Sequence, residues 1–250
     1  MLHGRVALVT GSGRNIGRAV ALALARAGAA VVVNGQRDTA ALTETVALVR
    51  AAGGAALAVQ ADVADRAAVF AMVAQGAAHF GAPVEIVVAN VGLREARPFL
   101  DTTPQQWQQA MAVNLDSAFH LAQAALPGML AQARGRFVHL SGLPVLTGRY
   151  GGKVAALASK AGLHGLTKGL ADEFGGRGIT ANLVAPGMVR TARDWRHYPH
   201  TSEAAAQARI PAGRIAEPED VAAACVYLAG DGAAFVNGQT LHVNGGEVMF

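Results

Sequence analysis

RVALVTGSGRNIG, residues 5–17, decides the fold: an apolar run enters a glycine-rich turn and leaves it directly into a helix-forming segment. Glycines suit such a turn because the backbone must bend sharply, approach a ligand closely and present helix N-terminal amides to negative charge. A glycine turn alone is common. Its place after the first strand and before the first helix points to a pyrophosphate, and so to a dinucleotide. Gly11, Ser12, Arg14, Asn15, Ile16 and Gly17 are the candidate contacts.

Outward from this turn, short β-branched runs alternate with longer segments rich in alanine and leucine, the pattern of β-α-β units and a parallel sheet. Strands are expected over 5–10, 30–34, 56–60, 85–89, 136–141, 179–184 and 240–243, and helices over 16–27, 39–52, 65–80, 104–132, 152–174 and 218–229. Runs such as VALVT, IVVAN and ITANLVAP are almost continuously apolar, as strands covered on both faces should be. The expectation is an α/β chain forming a single domain over residues 1–250: a Rossmann fold with a doubly wound, seven-stranded parallel sheet and helices on both faces.

Composition bounds the partners. The 250 residues are 52% hydrophobic and 15% charged, with a net charge of +4. Only three of the 21 basic residues are lysines, at 153, 160 and 168, and the remaining 18 arginines are scattered without a basic run. Nucleic acid is therefore not an expected partner. A single cysteine, Cys225, allows no intrachain disulfide and suits a reducing compartment. No apolar stretch approaches a membrane span, and the N-terminus lacks a signal-peptide pattern, so a cytoplasmic protein without membrane contact is expected. No constellation points to a metal.

At the end of the second strand an acidic residue would bind ribose hydroxyls. The chain reads Asn34-Gly35-Gln36-Arg37 there, with no acid. Arg14 and Arg37 suit a 2′-phosphate, so NADP(H) is the expected cofactor.

The motifs resemble those of the short-chain dehydrogenase/reductase family, and the C-terminal stretch GQTLHVNGGEVMF is similar to that of bacterial 3-oxoacyl-carrier-protein reductases. The resemblance runs along the whole chain. Thr10, Gly11 and Gly17 match the family's TG-x-x-x-G-x-G, with Asn15 at the middle glycine, a mild departure because asparagine tolerates positive φ. By the same resemblance Asp62 and Val63 match an adenine-contacting pair, with capping of the helix near Asp65 a second role for Asp62. Asn90-Val91-Gly92 matches a motif usually read NAG. Pro186, Gly187 and Thr191 match the segment that holds the nicotinamide carboxamide. The family also implies a homotetramer, formed partly by helices 104–132 and 152–174 and the last strand.

The family's active site joins asparagine, serine, tyrosine and lysine, the last two as Y-x-x-x-K. Asn114 in MAVNLDSAF matches the asparagine of a water-linked proton relay, and Lys160 in ASKAGL matches the lysine that binds the nicotinamide ribose and lowers the tyrosine pKa. The tyrosine position is Ala156. The serine register is open: Gly142 occupies the position counted from Gly135, Leu143 or Pro144 the one counted back from Lys160, and Ser141 is the nearby hydroxyl. Two side chains are candidates to replace the lost acid. Tyr150 precedes the helix, and Lys153 lies three before Ala156 and seven before Lys160, on one helical face.

The segment from Val189 to Pro211, with Arg190, Arg193, Trp195, Arg196, His197, Tyr198 and His200, and beside it Arg94 and Arg97, suits a small substrate that is anionic or aromatic. A charged solvent-facing loop explains the same residues. Three readings stay open: an NADP(H)-dependent reductase of a carbonyl or activated alkene with an atypical site, a non-catalytic NADP(H)-binding partner subunit or sensor, and a tyrosine replaced in the laboratory.

Overall fold

A computed structural model of the chain describes residues 1–148, 151–192 and 203–249. Seven parallel strands form one sheet in the order β3-β2-β1-β4-β5-β6-β7. They are β1 (Val6–Val9), β2 (Ala30–Gly35), β3 (Ala56–Gln60), β4 (Val84–Ala89), β5 (Gly135–Leu140), β6 (Ile179–Pro186) and β7 (Thr240–Val243). The helices are α1 (Asn15–Arg26), α2 (Thr39–Ala51), α3 (Arg66–Phe80), α4 (Pro104–Met111), α5 (Ser117–Ala131), α6 (Pro144–Thr147), α7 (Val154–Phe174), α8 (Glu203–Gln207) and α9 (Pro218–Ala229). The central strands β1, β4, β5 and β6 are buried along their length, which is why they read as unbroken apolar runs.

Two apolar layers hold the sheet. On one face α1, α2 and α9 pack through Leu24, Val46, Val221 and Leu228 against Val9, Val31 and Val33. On the other, α3, α5 and α7 pack through Val69, Leu121 and Leu163 against Leu8, Val32, Phe137 and Leu183. Each such fully buried aliphatic side chain contributes about 1.5–3 kcal/mol, which is what fixes the helices on the sheet.

Helix starts differ in a way that matters for the site. Asp38 caps α2, Asp65 caps α3, and Thr103 with Gln106 forms a capping box on α4. The N-termini of α1 and α7 have no side-chain cap. Asp62 is not the cap of α3: it accepts from Ala64 N at 2.9 Å and from Gln36 Nε2 at 2.6 Å.

The expected helix 104–132 is interrupted. Between α4 and α5 the chain makes a π-helical turn over Ala112–Asp116, which carries Asn114. Such wider turns displace a residue from regular register, often at functional sites. The expected start of the helix at 152 moves to Val154, because Gly152 has φ +66° and Lys153, at φ −124° and ψ 37°, is not helical. The short α6 and α8 carry too few residues for helical periodicity to show in the sequence. Among the described residues no helix is long and apolar enough to cross a membrane.

Candidate active site

The order of the strands reverses between β1 and β4, and the carboxyl ends of those strands form the crevice in which open α/β sheets bind ligands. The glycine turn is built to its shape there. Gly11 has φ +61°, and a Cβ on Gly17 would lie 2.3 Å from the Gly11 carbonyl oxygen. Asn15 adopts φ +50°, as asparagine can, and its Oδ1 accepts from Ala192 N at 3.0 Å. Ile16 and Gly17 lie in the first turn of the uncapped α1, whose amides are left for an anion.

Neighbouring strands hold the turn. Asn90 Nδ2 donates to Thr10 O at 2.9 Å and Gly11 O at 3.3 Å, and Asn34 Oδ1 accepts from Gly11 N at 3.4 Å. Ser12 departs from its expected place among the ligand contacts. It is fully buried, its hydroxyl donates to Val9 O at 2.7 Å, and its amide donates to Asn34 O at 2.8 Å. Ser12 therefore shapes the turn from within.

Arg14, in the turn between β1 and α1, and Arg37, just after β2, are both exposed. Arg14 pairs with Asp38 at 2.5 Å, so the carboxylate that caps α2 also orients the guanidinium. Val63 is buried, Asp62 half-buried and Pro186 buried. Gly187 donates to Val243 O at 3.0 Å and packs so closely that a Cβ would meet Asn244 at 3.0 Å; Thr191 is half-buried. A glycine cradle with free helix amides and two arginines at its far end fits a dinucleotide carrying a 2′-phosphate.

At the chemical end, Asn114 is 2% exposed and its amide is committed in both directions. Oδ1 accepts from Leu93 N at 2.7 Å, while Nδ2 donates to Leu93 O at 3.0 Å and to Ser159 Oγ at 2.9 Å. Lys160 is 7% exposed; its Nζ donates to Leu140 O at 2.7 Å and Val91 O at 3.4 Å and borders Gly92. Burial, reinforced by the Arg94 guanidinium, lowers the ammonium pKa to about 7. Ala156 lies one turn before Lys160 and is 4% exposed, its methyl in the wall of a cleft. That cleft is also lined by Leu93, Arg97, Gln106 and Lys153.

Ser141 is oriented elsewhere. It follows Phe137 and His139 on the face of β5 that looks toward α7, and its hydroxyl lies 3.0 Å from Nε2 of His164. Burial, with Lys168 and His242 nearby, holds the His164 pKa below the ordinary histidine value. Of the two residues counted back from Lys160, Leu143 is buried and its N donates to Pro186 O at 3.0 Å, and Pro144 begins α6; neither supplies a hydroxyl. The structure thus puts Lys153 and Ala156 in the wall of one cleft, ties Asn114 to its wall through Leu93, buries Lys160 one turn on against Leu140 O and Val91 O, and leaves Ser141 bonded to His164.

Ser159, Asp38 and His164 were missed in the sequence. Ser159 is legible by helical spacing from Ala156; Asp38 and His164 carry no local signal, because their partners are distant in the chain. Arg190 is bound to Glu203 and, at 2.9 Å, to Glu217, so its charge is already matched rather than offered to a substrate. Tyr150, Arg193, Trp195, Arg196, His197, Tyr198 and His200 lie outside the described residues. Among the described residues no cluster suits a metal ion.

Known proteins resemble this arrangement over its whole length. The sequence model of the family described as enoyl-(acyl carrier protein) reductase matches residues 11–247. A subunit of (2S)-[(R)-hydroxy(phenyl)methyl]succinyl-CoA dehydrogenase from Thauera aromatica is 36% identical over 249 residues, covering 100% of this chain and 98% of that protein. The 3-oxoacyl-[acyl-carrier-protein] reductase of Escherichia coli is 36% identical over 247 residues, covering 99% and 98%. Among solved structures, a protein designated an NAD(P)-dependent gluconate 5-dehydrogenase from Beutenbergia cavernae, with NADP bound at low occupancy, superposes with a TM-score of 0.90. It is 39% identical and covers 98% of this chain and 97% of that one.

Proposed function

Because the chain belongs to the short-chain dehydrogenase/reductase family, we propose that it is an NADP(H)-dependent oxidoreductase that reduces a carbonyl or an activated alkene without the usual tyrosine. The observation that carries this reading is the lysine. Lys160 is buried, held by two carbonyls at the crevice, and near neutrality in its pKa, one helical turn from the methyl of Ala156. An ammonium of that pKa donates a proton at neutral pH far more readily than an ordinary lysine. Bound NADPH supplies the hydride.

The residues divide the remaining work. Gly11, Arg14, Asn15, Ile16, Gly17, Arg37, Asp62, Val63, Asn90, Gly92, Pro186, Gly187 and Thr191 line the cofactor crevice, and Ser12 shapes its turn from inside. Asn114 ties the strand-four loop to α7 through Leu93 and Ser159, which keeps the cleft wall and Lys160 in register. An alkene substrate demands least of the missing acid, since solvent can protonate the enolate that hydride addition leaves. Assembly as a homotetramer through α4, α5, α7 and β7 belongs to the same reading, and the exposed apolar Trp107 and Phe119 support it.

A second reading, an NADP(H)-binding subunit without turnover, draws support from Ser141, whose hydroxyl is turned to His164. One measurement separates the two. NADPH affinity is titrated by fluorescence, and absorbance loss is followed with ketones, enones and acyl thioesters. Turnover with an enone or ketone is expected; tight binding with no turnover across the panel overturns the reductase reading.

A further inference from the structure

Asn15 opens α1 with a backbone that a glycine would suit at least as well. Its φ is +50°, and among the described non-glycine residues only Ala133 shares a positive value. The N-cap residue of α1, Arg14, makes no side-chain bond to the helix, so the first-turn amides stay open. Asn15 directs its Oδ1 elsewhere, accepting from the Ala192 amide at 3.0 Å across 177 positions of chain. The backbone does not ask for a side chain here, so this bond is what distinguishes asparagine from glycine at the turn.

Ala192 ends a segment whose other anchors lie away from the glycine turn. Gly187 N donates to Val243 O on β7 at 3.0 Å, Ala216 N donates to Met188 O at 3.1 Å, and Arg190 N donates to Ala216 O at 2.7 Å. The segment leaves β6, which is separated from β1 by β4 and β5, three strand spacings or about 14 Å. From Gly187 to Ala192 the chain therefore returns along the carboxyl ends of the strands, the edge at which the crevice opens. Arg14 and Arg37 mark one end of that crevice, beside β1 and β2, and the open α1 amides mark the place for its phosphates. The other half of a dinucleotide extends over β4 and β5 toward Lys160, whose Nζ sits against Val91 O and Leu140 O where those strands end. Residues 187–192 border that half.

We infer that Asn15 is a positioning residue: its bond to Ala192 ties the wall beside the nicotinamide half to the turn that holds the phosphates, so that the crevice is preformed along its length. A wall fixed before binding spares the cofactor the cost of ordering it. The bond lies within reach of water, so its loss costs about three- to tenfold in affinity, the net worth of one ordinary hydrogen bond. Most of that loss is expected as faster release. This role rests on the NADP(H) reading of the crevice.

The test compares two ligands on the full chain: NADPH, followed by equilibrium and stopped-flow fluorescence, and adenosine 2′,5′-bisphosphate, followed by calorimetry. The bisphosphate carries the adenine and 2′-phosphate but neither pyrophosphate nor nicotinamide. Asn15→Gly should weaken NADPH about three- to tenfold, mainly through its dissociation rate, and leave the bisphosphate within about twofold. Glycine adopts positive φ without strain, so the variant should fold, as checked by circular dichroism. Ala192→Pro removes the donor from the opposite end of the same bond. It should also weaken NADPH, and the double variant should bind no more than about twofold worse than the weaker single variant. Should Ala192→Pro not fold, the comparison of the two ligands in Asn15→Gly decides; should the bisphosphate bind too weakly to titrate, the double variant decides. Unchanged NADPH affinity in Asn15→Gly, equal weakening of both ligands, or additive losses in the double variant overturn the positioning role and leave the cofactor reading intact. A wild-type chain that binds neither ligand removes the NADP(H) reading, and this role with it.

Discussion

At residue 156 a methyl group stands where the sequence resemblance leads one to expect a phenol, and the neighbouring charges decide what chemistry is left to the site. The spacing Ala156-x-x-x-Lys160 was legible in the sequence, because a helix places those two positions one turn apart. The depressed pKa of Lys160 was not legible, since burial and the approach of Arg94 come from other parts of the chain. Ala156→Tyr should raise ketone reduction by about 10²–10⁴-fold, the usual worth of a positioned acid, measured as NADPH oxidation with a fixed ketone. No gain would show that the cleft has changed beyond its acid. Lys160 also marks stability. Its folded pKa of about 7 lies below the ordinary 10.5, so between those values the unfolded chain binds more protons and stability rises with pH. Below about pH 7 the cost of the buried charge is fully present. The melting temperature of the wild type should therefore climb more steeply between pH 7 and 9 than that of Lys160→Met, by differential scanning fluorimetry.

At the scale of elements, most strands and helices were readable from periodicity, whereas their interruptions were not. The segment 104–132 carries a continuous helical pattern, yet a π turn at Ala112–Asp116 breaks it. Asn114 meets Leu93 and Ser159 only in the folded chain, so nothing local announces the turn. The sequence offered Asp62 as a cap for α3; the structure gives that role to Asp65, whose carboxylate accepts from Ala67 N and Ala68 N. Asp65→Ala should cost about 1 kcal/mol. The melting temperature should fall by about 2–4 °C for a chain of this size. Gly17→Ala should be worse, because its Cβ would lie 2.3 Å from Gly11 O and force the turn away from α1. NADPH affinity should drop at least tenfold in a fluorescence titration, with the circular dichroism of the helices retained.

For the whole molecule, the parallel order β3-β2-β1-β4-β5-β6-β7 brings residues far apart in the chain to one edge of the sheet. Arg14 after β1 and Arg37 after β2 are both exposed at the carboxyl ends of adjacent strands, and a cofactor with a 2′-phosphate there would gain both guanidiniums. NADPH should therefore raise the melting temperature more than equimolar NADH, since stabilisation follows ligand concentration over Kd. The double variant Arg14→Ala, Arg37→Ala should erase that difference. What the sequence determined by itself was the class of fold, the glycine turn, the absence of an acid at the end of strand two and the alanine at position 156. These depend on local geometry and on which chemical groups exist, and both are written in residue order. Tertiary structure alone decided that Ser12 turns inward, that Ser141 pairs with His164, that Arg190 is matched by two carboxylates and that Lys153 is buried beside Ala156. Each depends on a partner or a cover supplied from a distant part of the chain, and burial and pairing are properties of contacts rather than of residues.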